Sequence, residues 1–236
     1  MFAIPRQTIL DDVVAAAELR REEALPFLFG RGASLDQIVG LRVGYLRDVP
    51  HIPDSGEESQ RLCVWLRKHV PSDGAVVFPL HDLLGRIAGL QIRHVERKEY
   101  WDFHLKRSRS GALFFGTPLA RAAIWARRRA ILCEGVFDWF PPQRVYPETL
   151  GVLGTDISYT QIRAIGRLCD SAVFLYDADS AGEEGYARAR RMFEESGFRT
   201  LTRRAFLPGG KDPGAVWEAL GETETRRRLE GAVGWI

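Results

Sequence analysis

The chain is poor in cysteine and has no long apolar run. Its 236 residues include three cysteines, with no Cys-x-x-Cys pair and no histidine at metal-ligand spacing beside them: Cys63, Cys133 and Cys169. We therefore predict reduced thiols and no zinc site. No window approaches the roughly 18 apolar residues of a membrane span, and the start MFAIPRQTILDD lacks the basic and apolar segments of a secretory signal. These absences predict a cytoplasmic protein with no membrane partner.

A phosphate-binding loop of the form Gly-x-x-x-x-Gly-Lys-[Ser/Thr] is also missing, which argues against a motor ATPase. The hydrophobic fraction of 45% and charged fraction of 27% are those of a folded protein. The net charge of +2 is unevenly spread, because residues 83–129 hold eleven lysines and arginines against three acids. Such a basic segment predicts a polyanionic partner, with a solvated surface as the alternative.

Two patterns of secondary structure divide the chain. The first part predicts a helix over 11–29, a strand over 41–45 and a hairpin over 75–93. From residue 130 onward, short apolar runs alternate with helical stretches. The predicted strands are 130–133, 151–153, 172–176 and 201–207, and the predicted helices are 158–169, 181–196 and 213–220. This alternation is typical of βαβ units around a largely parallel sheet.

The fold class predicted is therefore α/β. We expect an α+β N-terminal subdomain with a basic segment over residues 1–116, a largely parallel βαβ domain over 117–221, and a C-terminal tail over 222–236. Two helix starts carry the pattern of a capping box, Ser158 with Gln161 and Ser180 with Glu183.

Acidic residues follow the predicted parallel strands. Glu134 comes directly after 130–133, Asp177 and Asp179 follow 172–176, and Asp212 lies in the glycine-rich loop after 201–207. Ligands of a parallel sheet bind beyond the carboxyl ends of its strands, so these side chains are expected to converge. Asp138 lies one helical turn after Glu134 and can join them.

Converging carboxylates repel one another unless a cation lies between them. Oxygen ligands without histidine or cysteine favour Mg²⁺ or Mn²⁺ over zinc. The alternative for each single acid is that it caps the following helix, as Asp179 or Ser180 would do. A carboxylate-held cation beside a basic segment predicts phosphoryl or nucleotidyl transfer.

Four segments, in this order and spacing, resemble the Toprim domain of bacterial DnaG-type DNA primases. They are Glu134-Gly135-Val136-Phe137-Asp138, Leu153-Gly154-Thr155, Asp177-Ala178-Asp179-Ser180-Ala181-Gly182, and Leu207-Pro208-Gly209-Gly210-Lys211-Asp212-Pro213. Upstream, residues 24–45, 77–93 and 113–116 resemble the N-terminal part of the same polymerase core. The resemblance spans about residues 20–220 and favours a primase over topoisomerases, OLD-type nucleases and recombination mediators.

The resemblance implies roles for individual residues. The catalytic carboxylates would be Glu134, Asp177 and Asp179. The ligands of Mg²⁺ or Mn²⁺ would be Glu134, Asp138, Asp177, Asp179 and Asp212. The template and the nucleoside triphosphates would contact Arg86, Arg93, Lys98, Lys106, Arg107, Arg109 and Lys211. Tyr100 or Trp101 would stack on a base, with core packing as the alternative. The family's acids beside the last motif are replaced by Gly209 and Gly214.

The implied function is a DNA primase core that makes short RNA primers on a single-stranded DNA template from nucleoside triphosphates. The alternatives are a Toprim-type nuclease and a non-catalytic module that binds single-stranded nucleic acid. The sequence shows neither the zinc module nor the helicase-binding domain of the family, which indicates an excised core or a compact phage or plasmid primase. A replicative helicase or a separate zinc-module protein is left open as a further partner.

Overall fold

The computed structural model describes residues 8–53, 56–97, 99–105, 112–207 and 212–234. Its first half is built on an antiparallel sheet in the order β1-β2-β3-β4. The strands are β1 (Gly44–Leu46), β2 (Ala75–His81), β3 (Ile87–His94) and β4 (Tyr100–His104). The helices are α1 (Leu10–Glu18), α2 (Leu25–Gly30), α3 (Leu35–Gly40) and α4 (Glu57–His69), with a short 3-10 helix at Arg21–Ala24.

The second half is built on a parallel sheet in the order β6-β5-β7-β8. Its strands are β5 (Arg129–Cys133), β6 (Thr149–Gly151), β7 (Ser171–Leu175) and β8 (Leu201–Arg204). Its helices are α5 (Thr117–Arg127), α6 (Val136–Val145), α7 (Tyr159–Leu168), α8 (Ser180–Glu195) and α9 (Pro213–Val233). The predicted alternation of strands and helices around a parallel sheet is confirmed.

Helices cover both faces of the parallel sheet. On one face, Leu132 and Phe174 pack with side chains of α5, α7 and α8, such as Ile124 and Ile162. On the other face, Ile131 and Val173 pack against α9. Alternate residues of β5 thus point to opposite faces, and both faces are buried, which explains why the strand is apolar from Ala130 to Cys133.

The two sheets share one continuous region of core. Phe114 pairs with His81 of β2, and the next residue, Phe115, pairs with Gly151 of β6. Phe115 also packs edge-on against Trp139 of α6, with the ring centroids 5.0 Å apart. Gly116 follows with a positive φ of 91°, and a Cβ there would lie 2.3 Å from the Trp139 indole, so only glycine fits.

The segment predicted as one helix over 11–29 is three shorter helical pieces. Proline lacks a backbone N–H and is tolerated in the first turn of a helix, and Pro26 stands there in α2. The break between α1 and the 3-10 helix is held by Arg21, whose Nε donates to the carbonyl oxygen of Val43 at 2.9 Å. The single-helix prediction is therefore wrong.

Two further predictions concern the hairpin and the C-terminal tail. The hairpin is confirmed as β2 and β3, which pair antiparallel with Val77 opposite Ile92. Strand β4 was not predicted. The predicted tail continues as the second part of α9 after a kink at Gly221, and its Leu229 and Val233 are buried. Within the described ranges, none of the helices combines the length and apolarity that a membrane crossing requires.

Candidate active site

A cleft of about 430 Å³ lies between the two sheets and is lined by charges of both signs. The parallel sheet and its helices contribute acids to one side of this cleft: Glu134, Asp138, Asp177 and Asp212. The first half contributes two guanidinium groups and two polar side chains: Arg31, Arg93, Gln91 and Tyr100. Glu218 of α9 also lines the cleft. Four of the five predicted metal ligands thus share one cavity.

Glu134 and Asp177 are brought together by neighbouring strands. Cys133 of β5 lies opposite Leu175 of β7, so both chains leave the sheet at the same carboxyl edge. Oε1 of Glu134 accepts a hydrogen bond from the main-chain N–H of Asp177 at 2.9 Å. The predicted convergence of these two acids is confirmed by this contact.

Asp138 stands in the first turn of α6. Its Oδ2 accepts a hydrogen bond from the N–H of Gly135 at 3.1 Å, as expected of an acid that caps a helix start. Burial, followed by the charges of Asp212 and Asp177, raises the pKa of Asp138 well above its usual range. These causes show that the carboxylates crowd one another.

Asp212 is the N-cap of α9, and its Oδ1 accepts from the N–H of Ala215 at 2.6 Å. Gly214 stands beside it. A Cβ at position 214 would lie 3.3 Å from an oxygen of Asp138 and 3.3 Å from an oxygen of Asp212. A side chain at position 214 would therefore crowd both carboxyl groups.

Asp179 behaves differently from the other four acids. Its Oδ1 accepts from the N–H of Gly182 at 3.0 Å, which makes it the N-cap of α8, and it is not among the residues that line the cleft. The capping box predicted for Ser180 and Glu183 is wrong, because the cap stands one residue earlier and Glu183 binds Arg204 instead. The box at Ser158 and Gln161 is confirmed.

The donor set of the cleft fits a hard divalent cation. In the part of the chain that the structure describes, no three acid, histidine or cysteine side chains already lie at the spacing of metal ligands. The acids of the cleft nevertheless offer only oxygen, which suits Mg²⁺ or Mn²⁺ rather than zinc. The raised pKa of Asp138 indicates a group of carboxylates that a cation would stabilise.

The opposite side of the cleft carries two arginines stacked on one aromatic ring. The guanidinium carbon of Arg93 lies 4.6 Å from the ring centre of Phe137, and that of Arg31 lies 5.4 Å from it. Burial and then the positive charge of Arg31 lower the pKa of Arg93, and its buried Nε has no hydrogen-bond partner among the described residues. Arg31 is paired with Glu218. These two guanidinium groups can bind an anion.

Arg31 and Glu218 were not predicted as site residues. Arg31 lies in a turn between Gly30 and Gly32, far from the basic segment, and no local pattern marks it. It does fall within residues 24–45, one of the segments that carry the primase resemblance. That membership is the signal that could have identified it.

Where the structure describes it, the basic segment does not form one continuous surface. Arg93 lines the cleft, but Arg86 lies at the other end of β3, seven residues or about 23 Å away along the strand, and pairs with Asp82. Arg127 and Arg129 both bind the fully buried Glu148. The other predicted contacts of template and nucleotide lie outside the described residues: Lys98, Lys106, Arg107, Arg109 and Lys211.

The two candidate stacking residues face different surroundings. Tyr100 lines the cleft and is 59% exposed. Trp101 packs against the imidazole of His69, with the ring centres 5.0 Å apart, and is half-buried against the core of the first half. Only Tyr100 of the pair is placed to meet a ligand in the cleft.

Comparison with known proteins agrees with this architecture. Residues 131–216 match the family described as Toprim-like. The chain is 28% identical over 229 residues to the DNA primase of Chlamydia trachomatis serovar D, a match that covers 89% of this chain and 37% of that protein. The chain thus spans little more than a third of the length of this relative.

Two solved structures show the same fold. A DnaG catalytic core has a TM-score of 0.75 at 21% identity, with 95% of this chain and 79% of that chain covered. A DnaG primase catalytic domain bound to single-stranded DNA has a TM-score of 0.73 at 20% identity, with 95% and 80% covered. Residues 131–216 thus resemble a Toprim-like domain, and they are joined to an antiparallel N-terminal half. The chain as a whole is similar in sequence to DNA primases and has the fold of the DnaG catalytic core.

Proposed function

We propose that this chain is a primase core that joins nucleoside triphosphates on a single-stranded DNA template. The observation that carries the proposal is the cleft itself, in which four carboxylates lie across from Arg31 and Arg93. Nucleotidyl transfer needs both kinds of charge, because the polyphosphate is anionic and its metal ions are cationic. The relatives named DNA primase support the same conclusion.

The acids of the cleft would hold Mg²⁺ or Mn²⁺ through Glu134, Asp138, Asp177 and Asp212. A cation bound there supplies Lewis-acid stabilisation of the reacting phosphate and lowers the pKa of the attacking hydroxyl group. Asp179 acts beside them by fixing the start of α8. Its role as a direct ligand stays a prediction.

The arginine side of the cleft would bind the polyphosphate. Arg93 lines the cleft with its guanidinium group over Phe137, where this group can bind a phosphate oxygen. Arg31 adds a second positive charge beside the ring of Phe137. One guanidinium group can donate to two oxygens of the same phosphate, which orients the phosphate as well as attracting it.

The template would run past Tyr100, the exposed aromatic side chain of the cleft. Stacking on an aromatic ring is tolerant of base sequence, as a priming enzyme requires. One structure of the same fold holds single-stranded DNA. A replicative helicase or a separate zinc-module protein remains a predicted partner of the whole protein.

The test is primer synthesis from labelled nucleoside triphosphates on single-stranded DNA with Mn²⁺. We expect short oligomers from the unmodified chain and none from Glu134→Gln or Asp177→Asn. Asp170→Asn is the matched control, because Asp170 is an acid outside the cleft that binds exposed Arg128. The proposal is overturned if no metal or template gives a product.

The same variants separate the alternatives. Cutting of plasmid DNA without nucleotides, lost in Glu134→Gln, would indicate a Toprim-type nuclease. Binding of single-stranded DNA that neither a chelator nor Glu134→Gln changes, without any synthesis, would indicate a non-catalytic binding module.

A further inference from the structure

Arg204 lies at the end of β8, outside the cleft, and is bonded to the loop that carries Asp177. One of its guanidinium nitrogens, Nη2, donates to the carbonyl oxygen of Asp177 at 2.6 Å and lies 3.5 Å from that of Asp179. The side chain is only 5% exposed and lies over the ring of Phe206, with its central carbon 4.4 Å from the ring centre. Arg204 is therefore part of the interior that supports this loop.

The guanidinium group is fixed from its other side as well. Its Nη1 binds the carboxylate of Glu183 in the first turn of α8. Gly182 stands beside both partners, and a Cβ there would lie 2.1 Å from the carbonyl oxygen of Asp177 and 3.1 Å from Nη2 of Arg204. The loop, the helix start and the guanidinium group thus pack with no spare room.

The main chain of Asp177 is consequently held at both of its polar groups. Its N–H donates to Oε1 of Glu134 at 2.9 Å, and its carbonyl oxygen accepts from Arg204. With both groups fixed, the direction in which the Asp177 carboxylate leaves the backbone is restricted. That direction is toward the cleft, which Asp177 lines together with Glu134.

We infer that Arg204 is a positioning residue that sets the affinity of the cleft for a divalent cation through the peptide groups of Asp177. The inference rests on the proposed function in so far as that function requires the cation. Arg204 itself is not among the residues that line the cleft. Residues that orient metal ligands in this way change metal affinity by about 10- to 100-fold when they are replaced.

Arg203 provides a matched control on the same strand. Its guanidinium group also donates to a main-chain carbonyl oxygen, that of Val233, at 3.1 Å, but this contact lies at the end of α9 and not at the acid loop. Replacing Arg204 therefore removes an arginine of β8 that is bonded to Asp177, whereas the same substitution of Arg203 removes one that is not. A purely structural role predicts the same metal affinity for both variants.

The experiment is a titration of the metal-free chain with Mn²⁺, followed by the electron paramagnetic resonance signal of the free ion. We expect Arg204→Gln to weaken Mn²⁺ binding by about tenfold or more, while Arg203→Gln stays within about twofold of the unmodified chain. Arg204→Lys, which keeps one donor for the Asp177 carbonyl, should recover part of the loss. Circular dichroism at the titration temperature checks that each variant is folded.

Equal affinities of Arg204→Gln and the unmodified chain would overturn the inference. If Arg204→Gln does not fold, the comparison of Arg204→Lys with Arg203→Lys decides in the same way, with equal affinities again counting against it. If the unmodified chain binds no Mn²⁺ at all, the proposed function fails and takes this inference with it. Loss of the inference alone is thus distinguishable from loss of the function.

Discussion

Glu134 accepts a hydrogen bond from the main-chain N–H of Asp177, 43 residues further along the chain, at 2.9 Å. The contact joins the carboxyl ends of β5 and β7 and brings two acids into one cleft. It also explains how Glu134 is oriented before any ligand binds.

Glu134→Gln and Glu134→Ala should differ in stability but not in activity. The glutamine keeps an oxygen that accepts from Asp177, whereas alanine leaves that N–H without its partner and costs about 1 kcal/mol. Both variants lose the charge that the proposed reaction needs. Urea denaturation should give a lower free energy of unfolding for Glu134→Ala than for Glu134→Gln, and neither variant should synthesise primers. Full activity of the glutamine variant would contradict this role.

Gly182→Ala should destabilise the protein by about 2 kcal/mol. The new Cβ would lie 2.1 Å from the carbonyl oxygen of Asp177, so the loop or α8 must move. The control is Gly231→Ala, since Gly231 lies within α9 with nothing within 4 Å of an added Cβ. That change should be neutral or stabilise the helix by up to about 1 kcal/mol. Equal thermal midpoints for the two variants would be evidence against the tight packing of the Asp177 loop.

Glu218→Gln should strengthen nucleotide binding. Glu218 pairs with Arg31 at the cleft and competes there with any phosphate. A partly exposed pair of this kind contributes up to about 1 kcal/mol, so KM for the nucleotide should fall by up to about fivefold. Glu222→Gln is the control, because Glu222 pairs with Arg144, away from the cleft, on the same helix. A higher KM in Glu218→Gln would mean that the carboxylate assists binding.

Stability should decrease below neutral pH because of His81. Burial lowers the pKa of His81 to about 4, whereas the unfolded chain binds the proton near pH 6.5. Between these values the unfolded state holds more protons, so stability is highest above pH 6.5 and is lost as the pH falls toward 4. The loss amounts to about 3 kcal/mol at most.

His81→Gln should flatten that part of the pH profile of stability. His81 links the two sheets through its main-chain bonds to Phe114, and these the substitution keeps. His51→Gln, at an exposed position, should leave the profile unchanged. If stability depends on pH in His81→Gln as it does in the unmodified chain, other groups cause the loss of stability in acid.

The sequence allowed the parallel sheet and most of the acid cluster to be predicted. A strand that is buried on both faces is a short run of apolar residues, so it can be recognised from local sequence alone. Acids that directly follow such strands meet at the carboxyl edge of the parallel sheet. Asp179 could not be assigned in advance, because an acid between a strand and a helix suits a metal ligand and a helix cap equally well. The structure shows the cap.

The arginine side of the cleft could not be derived from local sequence. Arg31 comes from a turn about a hundred residues before the acids, and only the packing of the two halves brings it near Phe137. Conversely, counting the bases of residues 83–129 predicts more unpaired positive charge than the structure shows. Arg127 and Arg129 both pair with the single carboxylate of Glu148, which lies some twenty residues away in sequence and is buried. Strand β4 was missed because its side chains show no regular alternation of burial.

The most direct test of the cleft is a crystal of this chain soaked with Mn²⁺ and a non-hydrolysable nucleoside triphosphate, measured for anomalous scattering from manganese. We expect a manganese peak between the carboxylates of Glu134, Asp138, Asp177 and Asp212, with the phosphates against Arg31 and Arg93. A manganese-free cleft at saturating Mn²⁺, or phosphates bound away from both arginines, would contradict it.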